Sequence, residues 1–373
     1  MRVVHVYKDY YPVLGGIENH VRLLAEREAA RGLDVTVLVT APEGRTRVTQ
    51  EGGVRVIRAA RVVTVASTPL SLALGRELHR LEADIAHLHF PYPVGEVSQL
   101  LCGRARRVVI SYHSDVVRQK TLLRFYRPLM HRVLQRADRI LVATPNYLAT
   151  SETLQCYRSK CAIVPYGIEQ ERFRRLERGG PEVQAVRERF GPGPLILFVG
   201  VLRYYKGLRY LLDAMVGLDA RLMIVGAGPM EGALRAQRAE LGLEDKVRFC
   251  GAVSDADLPA YYASADLFVL PACERSEAFG LVLVEALASG LPIVSTELGT
   301  GTSYVNRQGK SGRVVVPRDG DALREGIAEL LGNEDIRERM AKGARERALL
   351  FTAERMVSDV LQQYQQALDG DDD

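Results

Sequence analysis

Cysteine is scarce in this chain: Cys102, Cys156, Cys161, Cys250 and Cys273 are spread over 373 positions with no CxxC pair. So few cysteines, odd in number, argue against a disulfide framework or a cysteine zinc site and fit a reducing compartment. Long apolar runs are missing too. No stretch approaches the ~18 apolar residues of a membrane-spanning helix. The opening MRVVHVYKDYYP is broken by His5, Lys8 and Asp9, unlike a secretory signal. Neither a short-period repeat nor a low-complexity tract is present. What is there is a globular composition, 47% apolar and 26% charged. At ~100–200 residues per domain, the length predicts two domains.

The net charge of +4 conceals an asymmetry: residues 1–190 carry 30 Lys+Arg against 19 Asp+Glu, and residues 191–373 carry 20 against 27. A basic front half attracts phosphates or anionic lipid, and the two halves should meet different partners. A solvated Arg-rich surface accounts for the same numbers.

Short β-branched runs alternate with helical spacing. Val3, Val4 and Val6 predict a strand, Tyr10–Gly16 a turn, Ile17–Arg31 a helix and Asp34–Thr40 a second strand. Further strands are expected at Val54–Ile57, Ile85–Phe90, Val108–Tyr112, Arg139–Ala143 and Ala162–Val164. The Gly/Pro break RFGPGP then precedes a second series at Leu195–Gly200, Leu222–Val225, Val247–Cys250, Leu267–Leu270, Pro292–Ser295 and Gly312–Val316. This α/β pattern predicts two Rossmann-like, doubly wound parallel-sheet domains facing a cleft, residues 1–190 and 191–350. Residues 351–373 should form a helix returning to the first domain, followed by an acidic tail.

Ligands of such sheets bind at the carboxyl ends of the strands. There the richest segment is Pro271–Gly290, PACERSEAFGLVLVEALASG. Glu277 falls in the loop after the predicted strand, and Glu285 follows eight residues later, about two helical turns on. Ala278, Phe279, Gly280 and Leu281 open the helix, whose unpaired N–H groups suit a phosphate that Gly280 lets approach closely. Either carboxylate can accept from sugar or ribose hydroxyls. A capped helix with solvated acids fits the same spacing.

EAFGLVLVE resembles the E-x7-E signature of retaining GT-B glycosyltransferases of family 4. YYPVLGGIENHV, ISYHSD, VPYGIE, FVGVLRYYKGL, IVGAGP, CGAVSDADLPAYYASADLFVLPA and GLPIVST follow in that family's order, so the resemblance spans almost the whole chain. It implies a GT-B fold and a nucleotide-sugar donor, which is a substrate; no cofactor is implied. It assigns Glu277 to hydroxyls of the donor sugar and Glu285 to the ribose. Ala278, Phe279, Gly280 and Leu281 lie beside sugar and diphosphate, and Lys206 neutralises the leaving diphosphate. The companion arginine of the family would stand at Val201; Arg203 is the candidate replacement. In the front domain, Gly15 and Gly16 match the loop near diphosphate and acceptor, and His113 matches the histidine near the donor sugar. Glu18 and Asn19 are acceptor candidates. The implied catalytic set is His113, Lys206, Glu277 and Arg203.

Three other patterns read as decoys. Asp255/Asp257 and Asp319/Asp321 are D-x-D pairs that should serve as helix caps. His87 and His89 share one strand face, but no third metal ligand is evident, so no metal is expected. GAGP at 226–229 lacks the third glycine of a dinucleotide fingerprint. YHSDVVRQK and ATPNYLATSETL look most like mannosyltransferases of polysaccharide assembly, so GDP-mannose is the preferred donor. UDP-glucose or UDP-N-acetylglucosamine transfer, or a nucleotide-sugar epimerase or binding protein, remain alternatives. Retention and metal independence come from the resemblance. The expected acceptor is a saccharide or lipid-linked saccharide, with no nucleic-acid partner. Arg118–Arg139 is rich in Arg interleaved with Leu, Phe and Tyr, and Pro128 should divide it into two helices. It suits an anionic membrane surface, placing a cytoplasmic protein on the inner face of the membrane, although a buried face with solvated arginines fits as well.

Overall fold

The computed structural model describes residues 1–13, 15–41, 43–65, 68–115 and 120–370. It divides into two compact units: Met1–Tyr166 with the segment from Ala353 on, and Gly167–Thr352.

The first unit contains β1 (Arg2–Val6), β2 (Asp34–Ala41), β3 (Arg47–Glu51), β4 (Val54–Ala60), β5 (Val63–Val65), β6 (Thr68–Leu70), β7 (Ile85–Phe90), β8 (Arg107–Tyr112), β9 (Arg139–Val142) and β10 (Cys161–Ile163). Eight of these form one sheet in the order β10-β9-β8-β7-β1-β2-β4-β3. The strands pair in parallel except β3, which runs antiparallel to β4 at the edge; β5 and β6 form a separate hairpin. Val3, Ile85 and Val109 are buried because helices cover the sheet, as parallel strands require. The helix Gly16–Ala30 brings Leu24 onto these residues, and the terminal helix Ala353–Asp369 adds Met356, Val357, Val360 and Tyr364. Chain order reverses between β1 and β7, so the loops leaving these two strands diverge there.

The second unit is a six-stranded parallel sheet built from β11 (Leu195–Val199), β12 (Arg221–Val225), β13 (Val247–Gly251), β14 (Leu267–Leu270), β15 (Ile293–Thr296) and β16 (Gly312–Val315). Its order, β13-β12-β11-β14-β15-β16, puts the switch point between β11 and β14.

The division falls at Tyr166/Gly167, earlier than the expected boundary at 190. The Gly/Pro break is a loop within the second unit, because the residues before it already pack there. Phe173 meets Tyr262 edge-on at 5.4 Å, Val183 is fully buried, and Arg187 reaches the carbonyl of Ser264 at 2.7 Å.

A second difference concerns the basic stretch. Lys120–Arg136 is one helix with Pro128 inside it, and Arg139 lies in β9. A helical proline strands the carbonyl four residues back. Here Arg124 and Pro128 are both exposed, so that carbonyl can be hydrated and the helix persists. Arg118 and residues 371–373 of the tail lie outside the described residues.

Candidate active site

The loops that follow β11 and β14 flank the switch point of the second unit, and most of the candidate residues sit on them. After β11 the chain turns through a short 3-10 segment, Tyr204–Lys206, and ends it at Gly207 with φ +69°. A side chain at Gly207 would start 1.9 Å from the carbonyl oxygen of Pro271, so only glycine lets this loop close on the loop after β14. Cys273 N–H then donates to Tyr205 O at 2.8 Å. That closure delivers Lys206 to Glu277: Nζ stands 2.6 Å from Oε2, with both side chains about one-tenth exposed. The contact is Coulombic, since Oε2 lacks an aligned hydrogen-bond donor among the described residues.

The segment Glu277–Gly280 is braced from behind. Thr300 Oγ1–H donates to the Glu277 carbonyl at 2.8 Å and Gly301 N–H to the Ala278 carbonyl at 2.7 Å. Phe279 is buried, its ring 5.9 Å from that of Phe351, so Phe279 can offer a ligand its backbone and not its ring. Gly280 caps the helix Leu281–Ala288 with φ +81°, a left-handed conformation suited to glycine. No side chain caps this helix, so its first N–H groups remain donors for an anion. Glu285 lies in the helix's second turn, where Tyr262 O–H donates to Oε2 at 2.7 Å. Burial raises the Glu285 carboxyl above its ordinary range, and the Tyr262 bond partly offsets this. Tyr262 carried no sequence signal; it sits 23 residues away at the end of another helix.

Arg203 is exposed, and its side chain makes no hydrogen bond or ion pair among the described residues; its carbonyl accepts from Lys206 N–H at 3.1 Å, and its charge, like those of Lys206 and Glu277, acts on the Tyr205 hydroxyl. GAGP serves loop packing: a side chain at Gly226 would start 2.1 Å from the carbonyl oxygen of Gly200. Of the D-x-D pairs, Asp319 caps the helix Gly320–Gly332 by accepting from Ala322 N–H at 2.9 Å. Asp257 corrects the expectation for the other pair: its carboxylate accepts from Ser254 O–H at 2.6 Å and caps no helix. A cavity of about 520 Å³, lined by Arg174, Arg178, Arg337 and Arg345, lies toward the amino ends of β14 and β15 and includes none of the candidate residues.

In the first unit, Gly15 precedes the helix Gly16–Ala30, and its carbonyl accepts from Asn19 N–H at 3.0 Å. Glu18 is buried, with Oε2 2.2 Å from where a Gly15 side chain would begin and Oε1 3.7 Å from Lys8 Nζ. Its carboxylate thus lies against the glycine loop that the resemblance assigns to diphosphate. Asn19 is exposed.

His113 belongs to a buried group of five histidines. The period-two geometry of strands puts His87 and His89 on one face of β7, and β1 pairs His5 with His87. His113 follows β8, and His20 comes from the first helix. Glu28 Oε2 lies 2.7 Å from His5 Nε2, His5 Nδ1 is 3.1 Å from His89 Nε2, His89 Nδ1 is 3.0 Å from His113 Nε2, and His113 Nδ1 is 2.6 Å from the Tyr166 hydroxyl. Burial, with help from neighbouring histidines, holds His87, His89 and His113 well below the usual imidazole range and His20 at about 3. His113 therefore spends both ring nitrogens inside the protein.

These histidines correct the reading that His87 and His89 lack a third ligand. His5, His87 and His89, and separately His20, His89 and His113, offer ligand atoms within 4.8 Å of one another. Every ring nitrogen of His5, His87, His89 and His113 is already hydrogen-bonded, so a metal would displace a hydrogen bond at each. His20 differs: both its nitrogens are buried without a partner among the described residues.

Two parallel-sheet α/β units are the architecture of the GT-B fold. The Glycosyltransferase Family 4 model matches residues 14–172 and the Glycosyl transferases group 1 model residues 181–347. The chain is 41% identical to D-rhamnosyltransferase WbpZ of Pseudomonas aeruginosa, over 95% of this chain and 93% of that protein. It is 38% identical to O-antigen chain mannosyltransferase C of Escherichia coli, over 98% of each. The structure of Anabaena Alr3699/HepE in complex with UDP shares the fold at a TM-score of 0.79 and 18% identity, covering 98% of this chain and all of that one. The protein belongs to glycosyltransferase family 4. No helix among the described residues is long and apolar enough to cross a membrane.

Proposed function

We propose that the protein transfers a manno-configured hexose, mannose from GDP-mannose, to a saccharide or lipid-linked saccharide during polysaccharide or glycolipid assembly, with retention of anomeric configuration. The observation that carries this reading is the Lys206–Glu277 pair beside the uncapped N-terminus of the helix Leu281–Ala288. Negative charge grows on the leaving diphosphate as the glycosidic bond breaks. Lys206 and the helix amides are fixed donors for it, and such preorganised donors contribute most to catalysis. With that charge met by protein groups, transfer should continue in excess EDTA. Glu277 then accepts from hydroxyls of the donor sugar, and Glu285, whose Oε1 has no hydrogen-bond partner among the described residues, accepts from the ribose. D-Rhamnose is 6-deoxymannose, so the relatives that transfer rhamnose and mannose both support a manno-configured donor.

The acceptor side is the first unit, where the resemblance places His113, Gly15 and Gly16, with Glu18 and Asn19 as acceptor contacts. Arg124, Arg127, Arg132 and Arg136 are exposed on Lys120–Arg136, while Met130, Val133 and Leu134 are buried. These arginines suit the anionic cytoplasmic leaflet, where a lipid-linked acceptor would lie. A thermal-shift panel of GDP, UDP and ADP sugars tests the donor. GDP-mannose should raise the melting temperature most. A larger shift with a UDP sugar would reassign the donor, and epimerisation or hydrolysis without acceptor would favour a non-transferase.

A further inference from the structure

We propose that Glu28 is a positioning residue for His113, acting through His5 and His89 to fix which ring nitrogen of His113 carries the proton; its catalytic consequence rests on the reading that His113 faces the sugar. A neutral imidazole has one N–H and one acceptor nitrogen, and a carboxylate only accepts. We take His5 as neutral and Glu28 as a carboxylate; His5 then donates from Nε2 to Glu28 at 2.7 Å, which leaves His5 Nδ1 as an acceptor. His89 must donate from Nε2 to that nitrogen at 3.1 Å, leaving its own Nδ1 as an acceptor. His113 in turn donates from Nε2 at 3.0 Å, and its Nδ1 accepts from the Tyr166 hydroxyl at 2.6 Å. Every link runs in one direction, from a phenol that gives a proton to a carboxylate that takes one.

The other side of Glu28 is closed by the terminal helix. Tyr364 O–H donates to Oε1 at 3.0 Å and accepts from His87 Nδ1 at 2.6 Å, and His87 Nε2 accepts from Ser111 O–H at 2.7 Å. With His5 neutral, reversing the main chain would set two acceptors face to face at Glu28, where both residues are 0% exposed and an unpaired buried acceptor is costly. Burial also keeps Tyr166 and Tyr364 protonated, and His87, His89 and His113 neutral, so the donors the chain needs persist at neutral pH. The outcome is a His113 whose Nδ1 can only accept. A group taking the place of the Tyr166 hydroxyl there must itself bring a proton, as a sugar hydroxyl does and a phosphate oxygen does not.

The test is 15N NMR of histidine-labelled enzyme at pH 7, with His113 assigned from the His113→Gln spectrum. Wild-type enzyme should show His113 as a single neutral tautomer protonated at Nε2. Glu28→Gln keeps the shape, and its amide can donate or accept toward His5, so both directions become available. That variant should show both His113 tautomers, with kcat lower by at least two-fold and donor KM within two-fold. His113 protonated at Nδ1 or on both nitrogens in wild type would overturn the proposal, as would an unchanged tautomer in Glu28→Gln. A mixed tautomer with unchanged kcat overturns it too, provided His113→Gln is impaired. If His113→Gln turns over normally, the sugar reading of His113 fails while the tautomer result stands. Should Glu28→Gln not fold, the wild-type spectrum decides alone.

Discussion

In the resting protein Lys206 is already held by Glu277, which gives the variant Glu277→Gln an unusual expected phenotype: tighter nucleotide binding with slower transfer. The two groups are 2.6 Å apart with side chains 11% and 9% exposed. At an effective dielectric near 20, unit charges at that separation attract by about 6 kcal/mol, most of which is cancelled by desolvating both groups. A diphosphate entering the site must share Lys206 with Glu277 while sitting near its negative charge. Gln at 277 keeps the volume and removes the charge, so affinity for free nucleoside diphosphate should rise by about 1.4 kcal/mol, or tenfold. Transfer should fall by about two orders of magnitude, because the neutral amide accepts less strongly from a hydroxyl as charge develops on the sugar. Titration calorimetry with GDP and UDP, beside initial rates, reads both effects. Unchanged or weaker binding of both nucleotides would refute the reasoning, meaning either that Lys206 is not withheld or that it does not meet the diphosphate.

Glu285→Ala should weaken free-nucleotide binding by about 1.5–3 kcal/mol, the value of hydrogen bonds to a charged acceptor; unchanged affinity would defeat the ribose assignment. Burial raises the Glu96 carboxyl to about 8, so the unfolded chain loses this proton first and stability should fall as pH rises from about 4.5 to about 8. Glu96→Gln, still able to accept from Tyr92 N–H and to meet the Tyr126 hydroxyl, should remove that slope and gain about 4 kcal/mol over wild type at pH 8. Urea unfolding at pH 5 and pH 8 checks it, and parallel pH curves would contradict it. Arg124/Arg127/Arg132→Glu should abolish salt-sensitive binding to anionic vesicles while sparing nucleotide affinity, since each basic residue near the surface contributes about 1 kcal/mol. Equal binding of wild type to neutral and anionic vesicles would sink the membrane reading.

The sheets were legible because each core strand is a short β-branched run, and Leu267–Leu270 was delimited to the residue. The strand β3 was not, because RVTQE lies on an exposed edge and carries no apolar pattern. Glu277 and Glu285 could be found within one segment, from helix spacing and family order. Their supports could not: the closure of Gly207 on Pro271 and the Tyr262–Glu285 bond are long-range contacts with no local signature. The histidines show the same limit. His87 and His89 were visible as one strand face, but His5 joins them only through the register of β1 on β7, about 80 residues apart, and Glu28 only through the packing of the first helix. The boundary at 190 misled because a Gly/Pro turn reads alike whether it links domains or enters a strand; what decides is the burial of Phe173 and Val183.

The most direct measurement is NMR of the product formed from GDP-mannose and a saccharide acceptor, comparing the new linkage with the donor's α-configured anomeric centre. The account predicts an α-linked mannosyl product, formed equally well in EDTA and at a rate lowered at least a hundredfold in Lys206→Met, which removes the charge facing the leaving diphosphate. A β-linked product, or GDP-mannose consumed with the acceptor untouched, would contradict it.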